Sequence, residues 1–184
     1  ETLPLKQTLG RVFAQDVISP INVPSYDNSA MDGYAFIATD LLNKSTKLNV
    51  VGKAYAGHPY LNEVRSGECV RIMTGAAIPR GCDTVIAQEL VSDATDTHIS
   101  IAPSTVDAGD NRRLAGEDLR LGSVALRKGK RLSPADIGLL ASLGIANIAV
   151  IRRPRVAFFS TGDELRSIGQ ALDEGCVYDS NRYT

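Results

Sequence analysis

The chain contains no tryptophan, only two histidines and three cysteines, and aromatic residues fill just 5% of its 184 positions. Neither His58 nor His98 neighbours a serine or cysteine arrangement, so Ser-His-Asp and Cys-His nucleophiles have little support. Cys69, Cys82 and Cys176 are odd in number, widely separated and free of any CxxC pair. That pattern argues against a disulfide scaffold or structural zinc, and reads as reduced thiols of a cytoplasmic protein. No apolar run approaches the roughly 18 residues of a spanning helix, and no basic-then-apolar start suggests export, so no membrane role is expected. Excess charge is lacking too. Lys and Arg number 20 against 21 acids, a net charge of -1, which leaves no electrostatic footprint for nucleic acid. There is no GxGxxG and no Walker-type loop. An anionic ligand therefore has to be held by local groups.

What is present is a globular composition, 43% hydrophobic, enough for one large domain or two small ones. Pro4, LKQTL and Gly10 read as a short helix with a proline start and a glycine stop. Residues 11–18 read as a strand, and 20–33 as a loop. From Tyr34 to about Leu132, short apolar or alternating runs are separated by Gly, Pro, Asn and Asp. Their spacing predicts a small antiparallel barrel or sandwich, with a hairpin turn over 93–97. The period then switches. In SPADIGLLASLG, Ser133 is the N-cap, Pro134 the first helical residue, Asp136 the capping-box partner and Gly144 the stop. Ile137, Leu140, Ala141 and Leu143 form the expected buried stripe. Beyond Pro154, VAFFS (156–160) reads as a continuous apolar strand of a parallel sheet, the opening of a separate α/β domain. Both termini fall inside predicted elements, so the chain is expected to be a piece of a longer one. Asn43-Lys44-Ser45 matches a glycosylation sequon and is taken as chance.

Five segments concentrate carboxylates, hydroxyls, amides and glycine. The loop PSYDNSAMDG holds Asp27, Asn28, Ser29 and Asp32, hard oxygen donors suited to magnesium, with Gly33 letting backbone approach a ligand. The alternative is an Asx-turn loop that caps its own amides. In RIMTG a strand delivers Thr74 to an edge, where a hydroxyl can meet an oxyanion, although Thr-Gly at a strand end is also ordinary. In NRRLAGED, Arg112 and Arg113 beside Glu117 and Asp118 form either a phosphate clamp facing a metal-binding acid or a solvated loop of ion pairs. STGDEL places Glu164 after a buried strand, where open α/β sheets bind ligands. YDSNR offers Asp179 and Asn181 at a helix start, for capping or for an anion. Together these features describe metal-assisted handling of anions rather than covalent catalysis.

Taken in order, PSYDNSAMDGYA, RIMTGAAIPRGCDTVI, RRLAGEDL, SPADIGLLASLGI and STGDEL…YDSNR resemble the molybdopterin molybdenumtransferases of the MoeA type, related to the C-terminal domain of gephyrin. The resemblance runs from about residue 3 to the final residue. It implies mixed α and β architecture. A small β barrel or sandwich (20–120) is inserted in a helix-containing linker domain (1–19 and 121–151), and the start of an incomplete α/β molybdopterin-binding domain follows (152–184). The implied reaction inserts molybdenum from molybdate into adenylylated molybdopterin and releases AMP. Asp32, Thr74, Asp118 and Glu164 match active-site positions. The three acids are assigned to magnesium, and Thr74 to an oxyanion. Asp27, Asn28, Ser29, Arg112, Asp179 and Asn181 are assigned to shaping and binding around the small anionic pterin and oxyanion ligands. The resemblance also implies a homodimer and a molybdopterin adenylyltransferase as partner. The isolated 184-residue piece is expected to be inactive. Two rivals stand beside this reading: a non-catalytic dimeric scaffold, and a magnesium-dependent phosphoesterase acting on another nucleotide.

Overall fold

The computed structural model of the protein describes residues 1–41 and 45–183, so Asn43 and Lys44 of the sequon lie outside the described residues. The chain divides into two units, Thr2–Val150 and Ile151–Thr184, the second with Glu1. The first carries, in order, β1 (Thr2–Pro4), β2 (Val17–Ile18), β3 (Asn28–Ser29), β4 (Gly33–Phe36), β5 (Thr46–Ala54), β6 (Glu68–Ile72) and β7 (Thr84–Ala87). There follow β8 (Val91–Ser92), β9 (His98–Ile101), β10 (Arg112–Arg113), β11 (Val124–Leu126), the helix α1 (Pro134–Ser142) and β12 (Asn147–Ala149).

Among the described residues the largest sheet has the order β7-β4-β6-β5-β9-β8. It is one open, curled sheet rather than a closed barrel or a sandwich of two, because β7 and β8 end its edges without meeting. Nor is it wholly antiparallel: β5 and β6 run in parallel, with Lys53 opposite Arg71. Side chains alternate between faces, and here both faces are packed. Tyr34 and Phe36 of β4 join Leu48, Cys69, Ile86 and Ile99 on one side. Ala35 joins Val64, Val70, Ile72 and Val85 on the other. All four residues of β4 are buried as a result, and each large side chain so buried contributes about 1.5–3 kcal/mol. The hairpin at 93–97 forms between β8 and β9 as expected.

A third core gathers Phe13, Val17, Leu126, Leu132, Leu140, Ile148 and Val150. The antiparallel ladders β1–β12 and β2–β11 bring the N-terminal residues beside the segment that carries α1. The predicted strand over 11–18 exists only in pieces: single bridges at Val12 and Phe13, then β2. Its partners change along the way, from Arg131 to Val150 to β11, so no continuous ladder can form. In α1 the capping box is complete, with Ser133 and Asp136 exchanging hydrogen bonds and Pro134 opening the first turn. Gly144, at φ 72°, takes the left-handed conformation that ends a helix and favours glycine. The buried stripe is Leu140 and Leu143 with Ile137 and Leu139 half-buried, whereas Ala141 is exposed. Asp136 is buried as well. Burial alone raises its pKa, but hydrogen bonds from Lys130 and Ser133 outweigh this and hold it below the usual carboxylate value.

In the second unit, β13 (Leu165–Arg166) and β14 (Val177–Tyr178) pair in parallel, and a 3-10 turn spans Ser180–Tyr183. The predicted strand VAFFS does not form a ladder. Val156, Phe158 and Phe159 are 81%, 58% and 88% exposed. An apolar run becomes a buried parallel strand only when neighbouring strands cover it, and among the described residues none pairs with it. The α/β domain is therefore not part of this structure.

Candidate active site

Three of the five segments meet in the first unit. The loop of residues 24–33 lies between the turn 73–78 and the segment 109–118, tied to both by its backbone. Gly75 N donates to Ser29 O and Ser29 N to Ala76 O, while Ala30 N donates to Asn111 O. β3 pairs with β10, so Ser29 faces Arg112 and Asn28 faces Arg113. Asn28 and Ser29 are buried, and their side chains serve the loop itself. The Asn28 amide donates to Tyr26 O at 3.4 Å, and the Ser29 hydroxyl donates to Met31 O at 2.6 Å.

Asp32 follows, at the entrance to β4. Its Oδ1 accepts two hydrogen bonds from Thr74, from N and from Oγ1, both at 2.7 Å. Two motif residues 42 positions apart are thus joined. The Thr74 amide, then its hydroxyl, hold the Asp32 carboxyl below its ordinary pKa, and the positive charge of Arg71 acts in the same direction. The hydroxyl hydrogen of Thr74 goes to Asp32, so Thr74 orients the carboxylate. Arg71 reaches Gln88, whose backbone N–H donates to Asp32 O at 3.0 Å. Gly33 is not a gap for a ligand. A Cβ there would sit 1.9 Å from the Ile86 carbonyl oxygen, so the missing side chain lets β7 close onto β4.

Asp27 and Arg112 bind each other. Asp27 Oδ2 accepts from Arg112 Nε at 3.1 Å and from Nη2, and Oδ1 accepts from Ala115 N at 2.8 Å. The Ala115 amide is the larger cause of the lowered Asp27 pKa, with Arg112 adding to it. The second arginine turns elsewhere. Arg113 Nη2 donates to both oxygens of Asp118 at 2.7 Å, while its Nε donates to Glu117 Oε1 at 2.5 Å. Glu117 is held below the usual carboxylate value by the Leu114 amide and then by Arg113, while the two acids raise the pKa of Arg113.

Within the second unit, the parallel pairing of β13 with β14 sets STGDEL beside YDSN. Glu164, Asp179 and Asn181 line one open cavity of about 630 Å³, with Ser160, Phe159 and Tyr178. The Glu164 carboxylate folds back over Gly162, 2.5 Å from where a Cβ would lie.

The structure thus joins Asp32 to Thr74, Asp27 to Arg112, and Glu164 to Asp179 and Asn181 around one cavity. Asp118 is engaged by Arg113. Among the described residues, no three His, Cys, Asp or Glu side chains gather to hold a metal. Magnesium commonly takes one or two carboxylates, with water and substrate phosphate completing the shell. Glu117 and Asp118 are hard oxygen donors that already share one cation, the guanidinium of Arg113, and so they fit such an ion. The ion-pair alternative weighed for NRRLAGED is the one that forms, with Arg113 forked between Glu117 and Asp118, whereas sequence reasoning missed the Gln88 contact. The i to i+4 spacing of Arg113 and Glu117 is the local signal behind those ion pairs; nothing local marks the Gln88 contact.

A family profile described as "MoeA N-terminal region (domain I and II)" matches residues 1–144. The molybdopterin molybdenumtransferase of Haemophilus influenzae is 48% identical over 184 residues, covering 100% of this chain and 45% of the relative. Molybdopterin molybdenumtransferase 2 of Mycobacterium tuberculosis is 37% identical, covering 98% of this chain and 45% of the relative. The chain spans about half the length of the curated relatives it matches. Crystal structures of the molybdopterin biosynthesis MoeA protein of Pyrococcus horikoshii superpose with TM-scores of 0.87 and 0.89, at 35% and 36% identity. They cover 98% of this chain, and the chain covers 49% and 47% of theirs. With five motifs in order, a matching profile over most of its length and a matching fold, the chain belongs to the MoeA family and carries that family's N-terminal region.

Proposed function

We propose that the chain supplies the N-terminal part of an enzyme of molybdenum cofactor biosynthesis, which transfers molybdenum from molybdate into adenylylated molybdopterin and releases AMP. The observation that carries this reading is the Asp32–Thr74 pair. Two hydrogen bonds at 2.7 Å fix Oδ1. Oδ2 accepts no protein hydrogen bond among the described residues, and Asp32 is an exposed residue. An ionised carboxylate fixed at one oxygen and open at the other can orient a water or a ligand-bound hydroxyl. The Asp27–Arg112 tie sets the position of that loop against the segment carrying Asp118. In the second unit, Ser180 and Asn181 give the cavity a polar lining for a pterin phosphate, and Glu164 and Asp179 are its acids.

Molybdate, the pterin phosphate and the adenylate are all anions, and a magnesium ion bound at these carboxylates offsets their repulsion without a basic protein. Asp118 with Glu117 would hold it. Arg71, beside Asp32, adds fixed positive charge. The same reading includes a homodimer. Ile18 and Val124 face each other across the β2–β11 ladder and are 48% and 40% exposed, an apolar surface that a second copy would cover.

The test uses a hybrid in which this chain replaces the matched 45% of the Haemophilus influenzae relative. The hybrid is expected to release AMP from adenylylated molybdopterin only when molybdate is present, and the 184-residue chain alone is expected to release none. Release that ignores molybdate points to a general phosphoesterase, and no release from the hybrid points to a scaffold. Either result overturns the proposal.

A further inference from the structure

We propose that the cleft between Tyr26 and Tyr55 is a stacking site for a nucleotide base, and that it takes the adenine ring of the adenylate. The choice of adenine rests on the functional reading above; the cleft itself is a feature of the first unit. It encloses about 220 Å³ and is lined by Tyr26, Tyr55, Gly57, Pro59 and Ala77. Tyr26 and Tyr55 are 46% and 44% exposed, and neither ring belongs to a packed core of the unit. The Tyr26 hydroxyl donates to Gly75 O across a long 3.4 Å, and no group among the described residues holds the Tyr55 hydroxyl. Two aromatic rings thus border one gap without joining the cores of the fold.

Backbone hydrogen bonds fix the walls. Tyr55 follows the end of β5, and its N donates to His58 O at 3.0 Å while His58 N donates to Tyr55 O at 2.9 Å, so a tight turn holds Tyr55 and Gly57 together. On the Tyr26 side, Ala77 bridges Asn28, Ile78 N donates to Asp27 O at 3.0 Å, and Gly75 N donates to Ser29 O at 2.8 Å. A gap held in this way needs little ordering when a ligand enters. Its size and chemistry select the occupant. Pockets for drug-sized ligands run about 300–1,000 Å³, so this smaller one suits a single ring system. Its lining side chains offer two phenol hydroxyls and no carboxylate, amide or guanidinium, and so they hold a ring by its faces rather than by its edge. A pterin carries an amide-like edge and an amino group that such walls leave unpaired, which is unfavourable. Adenine asks for fewer edge partners, and every base has a face to stack. The cleft also adjoins the candidate site. Gly75, whose carbonyl Tyr26 reaches, directly follows Thr74, the residue that orients Asp32.

The test titrates this chain with AMP and follows the tyrosine ring resonances by NMR, each identified by its loss in the matching Tyr→Phe variant. The Tyr26 and Tyr55 rings are expected to shift together and to saturate, while that of Tyr183, 64% exposed in the second unit, stays in place. Pterin and ribose phosphate at the same concentration are expected to move them far less. Tyr55→Leu, read on the Tyr26 ring, is expected to bind AMP about tenfold more weakly, within the range of one lost base–aromatic stack, and Tyr55→Phe to recover that loss. The unmodified chain gives its own reading whatever the variants do to folding. Rings that do not shift, an equal shift at Tyr183, or an equal response to pterin or ribose phosphate each overturn the base site. So does undiminished binding by Tyr55→Leu, or a Tyr55→Phe protein that binds no better than Tyr55→Leu. A hybrid that transfers molybdenum although the rings ignore AMP overturns the site alone. Rings that shift with AMP, in a chain whose hybrid transfers none, overturn the reaction alone.

Discussion

Replacing Gly33 by alanine tests whether the glycine of the Met-Asp-Gly segment serves strand packing or ligand access. Gly33 pairs with Ile72 on one side and Ala87 on the other, and its backbone is not in the left-handed region. An added Cβ would lie 1.9 Å from Ile86 O and 2.9 Å from Ile86 C, both backbone atoms. The carbonyl has to retreat about 1.5 Å to reach the 3.4 Å of ordinary contact, and only a separation of β7 from β4 can supply that. Overpacking of this kind costs about 1–3 kcal/mol, and one weakened ladder hydrogen bond adds about 1 kcal/mol. The expected loss is roughly 2–4 kcal/mol. At the urea dependence usual for small proteins, about 1–3 kcal/mol per molar, the midpoint falls by about 1–2 M. The control is Gly138→Ala in α1, where a Cβ meets nothing within 4 Å. It is expected to gain about 0.5–1 kcal/mol from helix propensity. Urea unfolding followed by circular dichroism reads both. A Gly33→Ala protein within 1 kcal/mol of the parent by this reckoning refutes the packing argument and returns the glycine to ligand access.

Ser133→Ala removes the N-cap of α1 and leaves Asp136 short of one donor, so thermal unfolding is expected to report a loss of about 1 kcal/mol. Ser133→Asp, which restores an acceptor, places a second acid beside Asp136 and is expected to recover only part of it. Asp27, Asp32 and Glu117 all have lowered pKa values in the fold. Their contribution to stability is complete above the ordinary carboxylate values of 3.8 and 4.5 and is lost as pH falls through the folded values. Acid titration of the folded midpoint is expected to show that loss below pH 4.5, reduced in an Asp27→Asn variant. Burial pushes the Cys69 and Cys82 thiols up to about 12. A thiol-specific reagent on the native protein at pH 8 is therefore expected to label Cys176 first and to reach the other two only on unfolding.

The helix α1 was legible because its signals are local: cap, proline, capping-box acid and terminal glycine all lie within 12 residues of sequence. Strand faces were legible for the same reason, since alternation over four or five residues reports which side is buried. Strand direction was not. Nothing near β5 says that the chain crosses back to lay β6 beside it in parallel. VAFFS shows the same limit from the other side, for its apolar run describes a preference for burial and not the strands that would provide it. In the candidate site the residue types were legible and their pairings were not. Asp27 meets Arg112 across 85 positions, and Asp32 meets Thr74 across 42. Gly33 was misread for a related reason: its neighbour, Ile86, is 53 residues away in sequence and arrives only through the sheet.

The most direct test of the account is a double-mutant cycle on Asp32 and Thr74 in the hybrid enzyme, read as molybdate-dependent AMP release. If the pair acts as one unit, Asp32→Asn and Thr74→Val each lower turnover by about 100-fold or more, and the double variant is no worse than the weaker single. The folded midpoints should move by far less than the rates. Full activity in either single variant, or losses that simply multiply, would contradict the claim that Thr74 works by holding the Asp32 carboxylate.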